Sequence, residues 1–120
     1  MSKPLTVVEY VREDESNPYR AWFEGLSAEA AAKAATAVLR LELGNTSRVK
    51  WIGAIGEYRI DWGPGYRIYL GKDGEALILL LGGGTKQRQQ SDIARAKALW
   101  AEYRARKAAA VRTKGKGRGE

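Results

Sequence analysis

The stretch GEYRIDWGPGYRIYLG, residues 56–71, decides how this chain is read. It holds two Tyr-Arg-Ile triplets, at 58–60 and 66–68, on either side of Gly63-Pro64-Gly65. Glycine and proline side by side mark a turn, so the triplets belong to two strands of a hairpin. Side chains alternate between faces along a strand. With a three-residue turn at 63–65, Trp62 lies opposite Tyr66, Ile60 opposite Ile68 and Tyr58 opposite Leu70, which makes one apolar face. The other face carries Arg59, Asp61, Arg67 and Tyr69, with Asp61 opposite Arg67 and Arg59 opposite Tyr69. A slip of one residue would turn one strand over. The simplest reading of the arginines is structural: an Asp61–Arg67 cross-strand pair worth a few tenths of a kcal/mol, roughly, and an Arg59 guanidinium over the Tyr69 ring.

The rest of the chain fits around this hairpin. Leu5 to Val11, rich in β-branched residues, predicts a strand. Asn17-Pro18 is a helix start, an N-cap followed by a residue with no N–H to leave unpaired, and predicts a short helix to about Gly25. Ser27 caps a second helix. On it Ala31, Ala34, Val38 and Leu41 recur at helical spacing, and Gly44-Asn45 ends it. The two form a helical hairpin. Residues 45–53 read as a loop. Strands are expected at about Ala54–Trp62, Tyr66–Leu70 and Glu75–Leu81, with Lys72-Asp73-Gly74 as the second turn. The last strand, ALILLL, is apolar throughout, so it should be central and covered on both faces. GGGTKQRQQ then reads as a loop. A final helix from about Gln90 sets Ile93, Ala96, Trp100 and Tyr103 on one face. The expected order, β-α-α-β-β-β-α, describes an α+β fold with a small, mainly antiparallel sheet and helices packed on one face. Residues 1–107 form the domain; 108–120 are a basic, low-complexity tail expected to be disordered. Trp22, Trp62 and Trp100 are assigned to the core, and so is Trp51, with stacking on a base as its alternative.

Composition narrows the chemistry. The chain has 120 residues, no cysteine and no histidine. Disulfides, thiolate metal sites and the commonest general acid–base are all excluded. No metal or cofactor is expected. There is no apolar run near membrane-spanning length and no signal-peptide pattern, so a cytoplasmic protein without a membrane partner is expected. The net charge of +7 is uneven: residues 1–57 sum to −1 and residues 58–120 to +8. A basic half suggests a polyanion, most simply nucleic acid. A net +6 of that +8, however, falls after residue 102 (seven basic residues against Glu120), where a solubilising tail would explain it equally well.

LLLGGGTKQRQQ carries a buried strand through glycines to Lys86, Arg88 and a helix. Successive N–H groups in such a loop attract anions. It is not a P-loop, which would need Gly-Lys-Ser/Thr where this chain has Thr-Lys-Gln.

Taken together, NPYRAWFEGL, RLELGN, VKWIG, EYRIDWGPGYRIYL and LLLGGGTKQRQQSDIARAKALW resemble the addiction-module killer proteins. These are the HigB-like branch of the RelE/ParE toxin superfamily of type II toxin–antitoxin systems. The resemblance covers roughly residues 5–107. It implies a RelE-like fold and a metal-independent endoribonuclease that cuts mRNA, typically in the ribosomal A site. It further implies a cognate antitoxin of helix-turn-helix type, through which alone the complex would meet operator DNA.

Carried over residue by residue, the resemblance matches Arg67 to the strand arginine that meets the scissile phosphate. Arg59 matches a basic position one strand earlier, and Lys86 the basic residue after the glycines. Asp92 falls close to where some relatives use a tyrosine or histidine for proton transfer. Lys50 and Arg88, with Arg48, could hold flanking phosphates; Gln89 and Gln87 could read base edges; Tyr69 completes the expected RNA contacts. The chain departs from the pattern at Asp61, where some relatives have a second basic residue. In such a reaction the substrate's 2′-OH attacks phosphorus. The protein stabilises the pentavalent phosphate, aligns the attack and moves protons. Arginine forks suit the phosphate; the base could be Asp61, Asp92, a lysine or a ribosomal group. Two other functions remain open: a ParE-like inhibitor of DNA gyrase, and a basic module that binds nucleic acid or a partner without catalysis.

Overall fold

The computed structural model describes residues 3–118. The elements in chain order are β1 (Thr6–Glu9), α1 (Pro18–Glu24), α2 (Ala28–Glu42), β2 (Val49–Ile52), β3 (Ile55–Ile60), β4 (Tyr66–Asp73), β5 (Leu77–Thr85), a 3-10 turn (Lys86–Arg88) and α3 (Gln89–Arg118). The five strands form one sheet in the order β1-β5-β4-β3-β2. Only β1 and β5 are parallel. The fold is therefore α+β with a mostly antiparallel sheet.

Both helix starts form as the sequence predicts. Asn17 accepts from the Arg20 N–H at 2.9 Å and Ser27 from the Ala30 N–H at 3.2 Å. The buried seam of α2 is Ala30, Ala34, Ala37 and Leu41, one position off the expected Ala31 and Val38, which are half-buried. Small alanines let α2 lie close to the sheet. Beneath α1 and α2, Tyr58, Ile60, Ile68, Leu70, Ile78 and Leu80 form the larger core.

The helices do not share one face. α3 packs on the opposite side, where Ala96, Leu99 and Trp100 cover Ile55, Tyr69, Leu79 and Leu81. The reason lies in β5, whose Ile78 and Leu80 face one layer while Leu79 and Leu81 face the other. A strand with both faces apolar needs a helix on each.

Two further expectations are corrected. Residues 49–52, read as loop, form edge strand β2, which turns into β3 through Gly53 at φ +63°. This leaves Trp51 47% exposed on the sheet edge instead of in the core. Gly82–Gly84 are not a loop either, but the last part of β5, paired with Tyr69, Ile68 and Arg67. A Cβ on Gly83 would lie 2.2 Å from the Trp22 ring, and one on Gly84 1.9 Å from the Asp92 carboxylate, so only glycine fits between α1 and α3 here. The helix α3 is described as far as Arg118, into the basic stretch at 108–120; residues 119 and 120 lie outside the described residues.

The hairpin register differs by two residues. Ile60 pairs with Tyr66, Tyr58 with Ile68, Arg59 with Arg67 and Glu57 with Tyr69. The connection is thus five residues, 61–65, with Gly63 at φ +58° and Gly65 at φ +75°. Its own bonds, Trp62 N–H to Ile60 O at 2.9 Å and Gly65 N–H to Trp62 O at 3.2 Å, take Asp61 out of the ladder. The expected Asp61–Arg67 and Arg59–Tyr69 oppositions do not form. A shift of two keeps the paired side chains on their predicted faces; Asp61 lies outside the pairing.

Candidate functional site

The two arginines of the doubled triplet are direct cross-strand neighbours, Arg59 on β3 and Arg67 on β4. The pairings extend this into rows across the α3-facing side of the sheet. One row runs Lys50, Glu57, Tyr69, Gly82; the next runs Arg59, Arg67, Gly84. Asp92, from the first turn of α3, lies over Gly84. Lys86 follows β5 directly, and its N–H bonds to Gly65 O at 2.9 Å, which ties the 3-10 turn to the hairpin connection. The structure therefore brings Lys50, Arg59, Arg67, Tyr69 and Asp92 to one side of the sheet, with Lys86 and Arg88 at its end.

Two like charges side by side repel unless something compensates. The compensating group is Glu57, a residue the sequence reading did not single out. It is fully buried and accepts from Arg59 Nε at 3.0 Å and from Gln89 Nε2 at 2.7 Å. The signal was present as Glu-x-Arg, which puts acid and base on one strand face. The Arg59 side chain is 41% exposed and holds its carboxylate through Nε, so its two terminal nitrogens remain to meet a ligand. Gln89, expected to read bases, uses its amide on Glu57 instead.

Arg67 is more enclosed. It is 6% exposed, its Nη1 donates to Gly65 O at 3.2 Å, and its buried Nε has no partner among the described residues. Two other buried polar atoms are likewise unpartnered: Tyr69 Oη and Asp92 Oδ2. Burial, reinforced by the nearby Glu57 and Asp92 carboxylates, pushes the Tyr69 phenol pKa up. Burial raises Asp92 as well, against the opposing pull of Arg88 and Arg95. The three groups lie close together, and water or a ligand could satisfy them.

Two clefts flank this face. One, of about 410 Å³, lies between α1 and α3 along the end of β5, with Trp22, Tyr69, Arg88, Asp92 and Arg95 in its walls. The other, of about 390 Å³, opens beside β3 where β2 has ended; Lys33, Arg40, Arg48 and Arg59 give it positive charge, with Asp61 as its acid. Arg48 and Asp61 thus belong to the second cleft, away from Arg67. Lys50 stands on the edge strand, across from Glu57.

A Haemophilus influenzae protein described as uncharacterized is 40% identical to this chain over 83 residues, 68% of this chain and 84% of that protein. The chain belongs to that protein's family. No protein-family model matches the chain, and no solved structure matches it. In this member of the family, no described helix is long and apolar enough to cross a membrane. Among the described residues there is also no cluster of carboxylates suited to a metal ion.

Proposed function

We propose that the chain is the toxin of a type II toxin–antitoxin system, with a RelE-like fold of the HigB-like kind, and that it cuts mRNA on the ribosome without a metal. The observation that carries this reading is the Arg59–Arg67 pair on one sheet face, with Lys86 at its end and buried Glu57 holding Arg59 by its Nε. A guanidinium held this way presents its free nitrogens as a fork to phosphate oxygens. Arg59 meets the phosphate before Arg67 because it is the more exposed of the pair; Arg67 adds positive charge beneath it and the exposed Lys86 adds more at its end.

The substrate's 2′-oxygen forms a bond to phosphorus while the bond to the 5′-oxygen breaks. The products are a 2′,3′-cyclic phosphate and a 5′-hydroxyl. The 2′-OH proton passes to a base and the departing oxygen gains one. Asp92, whose pKa burial raises above its ordinary value, is the carboxyl offered on this face for proton transfer. The toxin's partners are the ribosome with its mRNA and a helix-turn-helix antitoxin that covers the arginine face.

One observation favours a second reading, a basic module that binds nucleic acid without cutting it: Arg67 is buried and already bonded to Gly65 O. Induced expression in bacteria separates the two. Growth arrest with cuts in translated frames, abolished by Arg59→Ala and by Arg67→Ala, supports the nuclease. Arrest with intact messages and loss of DNA supercoiling would move the assignment to gyrase inhibition. Binding of RNA with no cleavage and no arrest would leave the module.

A further inference from the structure

β1 pairs with β5 only from Leu77 to Leu80, and the Tyr10 N–H to Leu80 O at 3.0 Å is the last bond on that side. The chain then turns away through residues 12–16 and returns as α1. Yet β5 continues to Thr85, still paired with β4 on its other side. Residues 81–85 therefore form a strand with one free edge, bulged at Leu81 where the pairing with β4 shifts, and beyond the bulge alternate N–H and C=O groups point outward. Three of these five residues are glycines, so only Leu81 and Thr85 carry side chains along the edge.

The edge is also the floor of the 410 Å³ cleft. α1 stands over one face of it: Pro18, Ala21 and Trp22 make an apolar wall, with the Trp22 ring on Gly83. α3 stands over the other: Arg88, Asp92 and Arg95 make a polar wall, with Asp92 on Gly84. Tyr69, 1% exposed, adds a hydroxyl without a partner.

We infer that this cleft binds an extended peptide of another protein as an added strand, with apolar and acidic residues in alternation. The period of two supplies the alternation. One set of side chains meets Pro18, Ala21 and Trp22; the other meets Arg88 and Arg95, whose two positive charges outweigh Asp92. Main-chain bonds to residues 81–85 supply affinity, and the two walls supply specificity. The cleft shares Tyr69, Arg88 and Asp92 with the arginine face, but the inference rests on the free edge of β5 and its two walls, and not on cleavage of RNA.

The test uses the full chain and a fluorescein-labelled octapeptide of alternating Val and Glu. Anisotropy should show saturable binding, and the Val-Lys counterpart should not bind. Arg95→Glu, an exposed position, should weaken binding by about tenfold or more. N-methylating the Val amides and the Glu amides in separate peptides should abolish binding in one case and spare it in the other, because only one strand edge faces β5. Amide exchange at residues 82–84 should slow on binding. Binding that leaves those amides unchanged, or that survives both methylated frames, overturns the inference. So does protection of the same amides by a single-stranded RNA oligonucleotide when the peptide fails to bind.

Discussion

Gln89, the first residue of α3, donates a 2.7 Å hydrogen bond to Glu57, which is buried in β3. The same carboxylate holds Arg59. Glu57 thus fastens the start of a helix to the sheet and orients an arginine at once. Removing it strands two donors and leaves two neighbouring arginines without a counter-charge. Glu57→Ala should cost about 2–3 kcal/mol, discounted because Arg59 is partly solvated. Glu57→Gln, which keeps an acceptor, should cost less. Urea unfolding of both variants checks this; equal losses would mean the site registers only side-chain volume.

Gly83 and Trp22 are a packing pair. Since a Cβ at 83 would sit 2.2 Å from the indole, Gly83→Ala should destabilise by about 1–3 kcal/mol through overpacking. In a double-mutant cycle with Trp22→Leu, the combined loss should fall short of the sum, because the smaller side chain frees the space. Strict additivity would show that the two do not touch.

Tyr69 carries a buried hydroxyl with no partner among the described residues. Tyr69→Phe removes the cost of that desolvated group and should raise stability by about 1 kcal/mol in the unliganded protein. A loss on removing the hydroxyl would show that it is already bonded.

Asp92 makes stability depend on pH in an uncommon direction. Its folded pKa lies above its ordinary value of 3.8, so the folded state binds the proton more tightly than the unfolded one. The penalty is absent below pH 3.8, grows as pH rises through the raised pKa, and is constant above it. Asp92→Asn should therefore gain stability relative to wild type across that window and hold the gain at neutral pH. Asp73 has the opposite sign. Hydrogen bonds from Lys107 and Tyr103 hold its pKa down, so its contribution is present above pH 3.8 and is lost as pH falls through its lowered value. Chemical denaturation of Asp92→Asn and Asp73→Asn over a pH series should show two slopes of opposite sense.

Much of this could be read from the sequence because the cues were local. Asn17-Pro18 and Ser27 are complete instructions for helix starts, and ALILLL could only be a central strand. The features that escaped depend on residues distant in the chain. Gly82–Gly84 look like a loop until Trp22 and Asp92, from two helices on opposite faces, are seen to fill the space their side chains would take. β2, four residues long, is too short to announce itself; its pairing with β3 makes it a strand. Of the site, the arginines and their common face were legible from alternation. Glu57 was not, since its burial comes from α3, which covers the face that alternation alone marks as open.

The two-residue offset in the hairpin has one more consequence. For one sequence, strand pairings that differ by two residues leave every paired side chain on the same face, and pairings that differ by one turn a strand over. The observed pairing and the one expected from the glycines differ by two, so the arginines keep the same outlook. A slip of one would instead drive a guanidinium in among Tyr19, Leu41 and Ile78. The contrast between the two faces of the hairpin thus rejects odd slips and is indifferent to even ones, and the length of the connection is left to the turn itself.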